Sequence, residues 1–158
     1  MAYQWPFFGG FQLQFFDVNE FDHPELMDPS FLQDVDRLRM RCGFPLKIND
    51  DARTQADLER IYAKEISKGQ PYPKTSSHLH IVGDPSLVRA LDIEPSIPRP
   101  GDGSELSLEK RELELSYQIL LMWKQGKWAH LGLGMETGHW HIDDTPRLAE
   151  KRPAFWVA

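Results

Sequence analysis

Cysteine is almost absent from this chain. Cys42 stands alone among 158 residues, so no intramolecular disulfide and no thiolate metal cluster can form. No apolar run approaches the roughly 18 residues that a membrane span needs. No block of Lys or Arg occurs, and the formal charge is 18 − 24 = −6. That balance argues against nucleic acid as a partner, because phosphate neutralisation dominates such binding. The aromatic N-terminal stretch (Trp5, Phe7, Phe8, Phe11, Phe15, Phe16) lacks a basic start and is interrupted by Gln12 and Gln14, so it does not read as a secretory signal. Internal repeats, low-complexity tracts and a dividing linker are missing too. What is there is ordinary for a single domain over residues 1–158 made in a reducing cytoplasm: 41% hydrophobic and 27% charged. That length can bury a core without covalent staples.

Helix signals stand at three places. Asp28 can cap, Pro29 suits the first helical position, and Phe31, Val35, Leu38 and Cys42 recur at helical spacing until Gly43. Thr54 with Asp57 forms a capping-box variant. It opens a second helix bearing Leu58, Ile61, Tyr62 and Ile66 and ending at Gly69. Ser107 caps a third, with Leu113, Tyr117, Leu120, Leu121 and Trp123 expected inside and Gly126 past its end. Glu109, Lys110, Arg111, Glu112 and Glu114 read as its solvated face. Strands are predicted at 44–48 and in two hairpins. Segments 78–82 and 87–93 flank Gly83-Asp84-Pro85-Ser86, while 128–133 and 139–143 flank the glycine-bounded stretch 134–138. The fold class predicted is α+β, a small antiparallel sheet of hairpins packed against about three helices. Trp5, Phe7, Phe8 and Phe11 are expected to cover the sheet, and Cys42 to act as a small buried hydrophobe.

Five of the six histidines (His78, His80, His130, His139, His141) fall on predicted strands. In Gly138-His139-Trp140-His141-Ile142-Asp143, period-2 alternation sends His139, His141 and Asp143 to one face and Trp140 and Ile142 to the other. A strand with one apolar face and one His/His/Asp face is built to hold something polar. A first hairpin centred on Asp84-Pro85 would set His78 across from Leu91 or Asp92, and His80 across from Arg89 or Ala90. His78, Asp92 and one histidine of the second hairpin then make a three-ligand nitrogen/oxygen set. Three protein ligands with an open position is the pattern of catalytic zinc. The plainer reading of His78 and Asp92 is a structural salt bridge. His130, between Trp128 and Leu131, reads as structural.

These residues also resemble a family. Ser76-Ser77-His78 … Arg89-Ala90-Leu91-Asp92-Ile93 is similar to the S-x-H-x-x-G-x-A-x-D signature of zinc D-Ala-D-Ala carboxypeptidases and of the L-alanyl-D-glutamate endopeptidases of phage lysis systems. Leu131-Gly132-Leu133-Gly134 … Trp140-His141-Ile142-Asp143, then Arg152-Pro153-Ala154-Phe155-Trp156, resembles the family's closing G-x-G … H-x-D … W segment. Upstream, Glu20-Phe21, Leu38-Arg39 and Gly43-Phe44-Pro45-Leu46 resemble its opening, and Asp51-Ala52-Arg53-Thr54 its Arg-bearing turn. The likeness runs in order from about Phe15 to the C-terminus.

The resemblance implies a Hedgehog-type zinc fold with one zinc per chain, held by His78, Asp92 and His141. It implies that Arg53 holds a substrate carbonyl or carboxylate, and that the substrate is a peptidoglycan stem peptide. With no secretory signal read, it suggests an endolysin-like enzyme that reaches the cell wall after holin-type release. Two departures stand out. His78 to Asp92 is 92 − 78 = 14 positions, twice the family's separation, and His80 begins its own H-x-x-G, which makes it the rival ligand. Gly138 occupies the place where many relatives carry an acidic general base. Glu136 or His139 could substitute, with Glu136 favoured as a carboxylate on a glycine-flanked loop able to swing to the metal's open side. Asp143 is expected to support a zinc histidine rather than bind the metal. The alternative function is a non-catalytic, zinc-stabilised binding or virion structural module.

Overall fold

The computed structural model describes residues 2–74, 76–136 and 138–157. A short hairpin comes first, β1 (Tyr3–Gln4) against β2 (Gln12–Leu13). Helix α1 (Pro29–Cys42) starts where the Asp28 carboxylate accepts from the Phe31 N–H, and it stops at Gly43 in the left-handed region. Its inner stripe, Phe31, Leu32, Val35, Leu38 and Cys42, is buried. The hairpin leans on α1, whose Asp36 carboxylate accepts from the Gln14 and Phe15 N–H groups at 3.0 Å each. Trp5 and Phe16 enter the core and Phe8 and Phe11 pack on it, whereas Phe7, expected to help cover the sheet, stays exposed.

Strand β3 (Leu46–Asp50) leads to the Thr54/Asp57 capping box and α2 (Gln55–Ile61). The expected single helix to Gly69 is broken at Tyr62 and resumes as α3 (Ala63–Ser67). Tyr62 leaves the helical path and stacks on Tyr72, and both Ile61 and Ile66 remain exposed. Then come β4 (Ala90–Pro95), α4 (Leu108–Lys124), β5 (Leu131–Glu136), β6 (His139–Asp144), a 3-10 segment (Pro146–Lys151) and β7 (Ala154–Val157).

The main sheet has the order β3-β4-β6-β5-β7. Every pairing is antiparallel except β5 with the edge strand β7, so an α+β fold is observed with one parallel addition. Leu91, Ile93, Leu131, Leu133, Trp140 and Ile142 point to a core shared with α1 and α4. Burying each such side chain is worth about 1.5–3 kcal/mol, so this face fixes the register and the opposite face follows from alternation. Across that opposite face runs one row of paired positions: Asp50, Asp92, His141, Gly134 and Trp156.

Three further expectations are corrected. Residues 78–82 form no strand, and β4 pairs with β3 and β6 instead. The turn at Gly83 does exist, with the Asp84 N–H donating to the Ile81 carbonyl. Its flanks reach other segments: Leu79 bridges Arg53 and Val88 bridges Met27. The first strand of the second hairpin is also displaced: β5 runs over Leu131–Glu136 instead of 128–133, which puts Gly134, Met135 and Glu136 in the strand rather than in the turn. Finally, α4 is rotated from its expected phase, burying Arg111, Leu115, Ile119 and Met122 while Leu113, Tyr117 and Leu120 face outward. Arg111 is fully buried because the 96–106 loop supplies its partners. It donates to the Ser96, Ser104 and Leu106 carbonyls and pairs with Asp102 at 2.9 Å.

Candidate metal centre

Two of three convergent side chains are placed by sheet register alone. Asp92 of β4 lies opposite His141 of β6, and the Asp92 Oδ1 to His141 Nδ1 separation is 2.8 Å. The third, His78, comes from a loop clipped to the segment after β3. The Arg53 N–H donates to the His78 carbonyl at 2.7 Å, and the His80 N–H donates to the Arg53 carbonyl at 2.9 Å. This delivers His78 Nε2 to within 3.2 Å of Asp92 Oδ1 and 3.1 Å of His141 Nδ1. One ligand atom from each of the three residues lies within 4.8 Å of the others, and both histidines are buried.

The remaining ring nitrogens are fixed by acceptors. His78 Nδ1 donates to the Asp51 carbonyl at 2.6 Å, which leaves Nε2 turned to the centre. His141 Nε2 donates to Asp143 Oδ2 at 2.8 Å, which leaves Nδ1 turned to the centre. Such outer partners fix the tautomer of a metal-binding histidine and raise its basicity. Asp143 is itself fully buried and held by Arg152 at 2.9 Å.

The charged forms of His141, Asp92 and Asp143 are favoured. Burial alone would lower the His141 pKa, but the Asp143 and Asp92 carboxylates outweigh it and raise the pKa to about 9. Burial likewise opposes ionisation of Asp92, yet hydrogen bonds from His141 and His78 hold its carboxyl well below the usual range. Asp143, with the same opposition between burial and the His141 and Arg152 partners, is also lowered. Two buried imidazoles and a half-buried carboxylate, pre-oriented, are a donor set that can hold a divalent transition metal.

The two glycines of β5 make the space. A Cβ on Gly132 would overlap the Asp143 carboxylate, and a Cβ on Gly134 would overlap the Trp156 indole. Trp156 thereby lies against His141, with ring centroids 5.3 Å apart. The centre opens into a cleft of about 580 Å³ whose walls include Tyr62, Trp156, Arg53, Arg147, Glu136 and His139.

The structure thus brings His78, Asp92, His141 and Asp143 together. His78 arrives by the Arg53 bridge and not by the expected hairpin register. His80 is half-buried and does not line the cleft. Glu136 does not ride on a free loop. It ends β5 opposite His139, and its Oε2 is 2.9 Å from His139 Nε2, which in turn is 3.9 Å from Asp92 Oδ2. Arg53 lines the cleft and pairs with Asp50, while its Nε is buried without a partner among the described residues. His130, read as structural, sends its backbone N–H to Asp144.

Sequence reasoning gave no role to Arg152, Ser77 (Oγ 3.2 Å from His141 Nε2) or the Asp51 carbonyl. Arg152 had a signal in the Arg-Pro-Ala-Phe-Trp run, but a backbone carbonyl carries none in residue type. Comparison with family models, with curated proteins and with solved structures finds no match for this chain.

Proposed function

We propose that this protein is a zinc-dependent peptidase acting on peptidoglycan stem peptides, of the D-Ala-D-Ala carboxypeptidase or L-Ala-D-Glu endopeptidase type. The observation that carries the reading is the convergence of His78 Nε2, Asp92 Oδ1 and His141 Nδ1 at the floor of an open cleft. The ordered likeness of the sequence to wall peptidases names the substrate, and a lysis role at the cell wall belongs to the same reading. Zinc bound there supplies Lewis acidity and water activated near neutral pH.

The chain's own residues do the rest. Asp51 and Asp143 hold the two imidazoles in the binding tautomer. His139 stands between Glu136 and the metal-binding carboxylate, placed to take a proton from the attacking water and return it to the leaving amine. Glu136 steadies the imidazolium so formed. Arg53, which lines the cleft while paired with Asp50, would hold the carbonyl or carboxylate of the substrate. Trp156 covers one side of His141 and limits the access of bulk water.

The test is digestion of purified cell-wall sacculi, with and without a chelator, followed by mass analysis of released peptides. Chelator-sensitive release of stem fragments is expected, and His141→Ala should lose both stoichiometric zinc and release. His139→Ala and Glu136→Gln should keep zinc and lose at least about 100-fold in rate. A protein that binds zinc but releases no peptide would be a zinc-stabilised binding module instead.

A further inference from the structure

Three guanidinium groups line the cleft, and two already face a carboxylate of the chain. Arg53 is paired with Asp50, and Arg152 is spent on Asp143. Arg147, on the 3-10 segment after β6, makes no close ion pair among the described residues, although Asp84 is near enough to feel its charge. It is exposed, and its Nη2 donates to the Ser76 carbonyl. That bond ties the guanidinium to the loop carrying His78 two residues on, next to Ser77, whose hydroxyl reaches His141. The side chain is therefore aimed along the cleft rim with donors to spare. The chain carries a net charge of −6, and Glu136 adds a carboxylate to the same cleft. A guanidinium without a paired carboxylate offers the local attraction an anion needs against that field, and its planar fork suits a carboxylate in two-point contact.

Resting on the peptidase reading of this cleft, we propose that Arg147 is a specificity-determining residue that selects stem peptides bearing a free carboxylate beside the cleaved bond. Consecutive Cα atoms are about 3.8 Å apart, so a group one residue from the reacting carbonyl lies within reach of the rim while that carbonyl sits over the metal-binding floor. A carboxylate there gains a charge-assisted contact, whereas an amide at the same place leaves the guanidinium without its counter-charge.

The experiment uses the zinc-loaded and the zinc-free chain with L-alanyl-γ-D-glutamyl-L-lysine and the same peptide carrying its D-glutamyl α-carboxylate as the amide. Binding is read by calorimetry, and cleavage by KM and kcat. The unmodified chain should bind the acid more tightly than the amide by about tenfold, the size of one charge-assisted contact. Arg147→Gln should erase that preference, raise KM for the acid and leave kcat nearly unchanged. Arg147→Lys should restore part of it, and Lys151→Gln, on the same segment but outside the cleft, should retain it in full. The calorimetric arm separates the two ideas. A preference that vanishes with Arg147→Gln in a chain that cleaves neither peptide supports this inference while the peptidase reading fails. Equal binding of acid and amide by the unmodified chain, absence of binding to either, or a preference unchanged by Arg147→Gln overturns it.

Discussion

An imidazole offers a metal one lone pair only when its other nitrogen has a settled destination for its proton. Both candidate ligands meet that condition, but with partners of different strength. His78 leans on a neutral carbonyl, that of Asp51, whereas His141 leans on the buried carboxylate of Asp143. The charged partner contributes more, because it both orients the ring and stabilises a cation beyond it. Asp143→Asn keeps the shape and loses the charge, so zinc affinity is expected to fall about 10–100-fold. Competition against a chromophoric chelator measures it, and unchanged affinity would remove Asp143 from the site. His80→Ala is expected to leave affinity unaltered in the same assay, since its ring stands outside the cleft.

At the scale of elements, what could be read from the sequence divides by range. Caps and alternation are local, and the structure follows them: Asp28 and Gly43 bound α1, Thr54 and Asp57 open α2, and β6 presents His139, His141 and Asp143 on one face. Partners in the sheet are non-local. The turn at Gly83 suggested a hairpin that would bring His78 to Asp92. The two do meet, but through the clip between residues 78–80 and Arg53. The phase of α4 was ambiguous because apolar residues surround it, and only the 96–106 loop explains why Arg111 turns inward. The glycines of β5 become intelligible once β7 is seen alongside them. Gly134 yields its side-chain volume to Trp156. Gly134→Ala should therefore destabilise the protein by about 1–3 kcal/mol, the usual cost of overpacking. In a Trp156→Ala background the same change should cost little. A double-mutant cycle by chemical denaturation gives the coupling, and additive effects would mean that the two residues do not compete for the same space.

At the scale of the whole molecule, the corner between β3 and α2 links the N-terminal segment to the metal centre, because it orients His78 through the Asp51 carbonyl. The N-terminal segment grips the same corner. The His23 N–H donates to the Asp51 carboxylate at 2.8 Å, and His23 Nε2 lies 2.7 Å from Asp57 Oδ2. Burial would lower the His23 pKa, but the hydrogen bond to Asp57 and the charges of Asp57, Asp51 and Glu25 raise it above its ordinary 6.5. Asp57 is lowered from 3.8 to about 2, first by the Thr54 N–H, against a smaller opposing effect of burial, then by the Thr54 hydroxyl and His23. A group with a raised folded pKa stabilises fully below its unfolded value and loses that contribution as pH rises through the folded one. A group with a lowered folded pKa stabilises above its unfolded value and loses it as pH falls. The pair should then contribute fully between about pH 4 and 6.5, fading toward pH 2 through Asp57 and above 6.5 through His23. A partly exposed ion pair of this kind is worth about 0.5–1 kcal/mol. The melting temperature of His23→Gln should accordingly lie below that of the unmodified protein at pH 5.5, with the gap closing as pH rises through the raised His23 pKa. A gap that stays constant from pH 5.5 to 9 would show that His23 holds the N-terminal segment by packing and its backbone N–H rather than by charge.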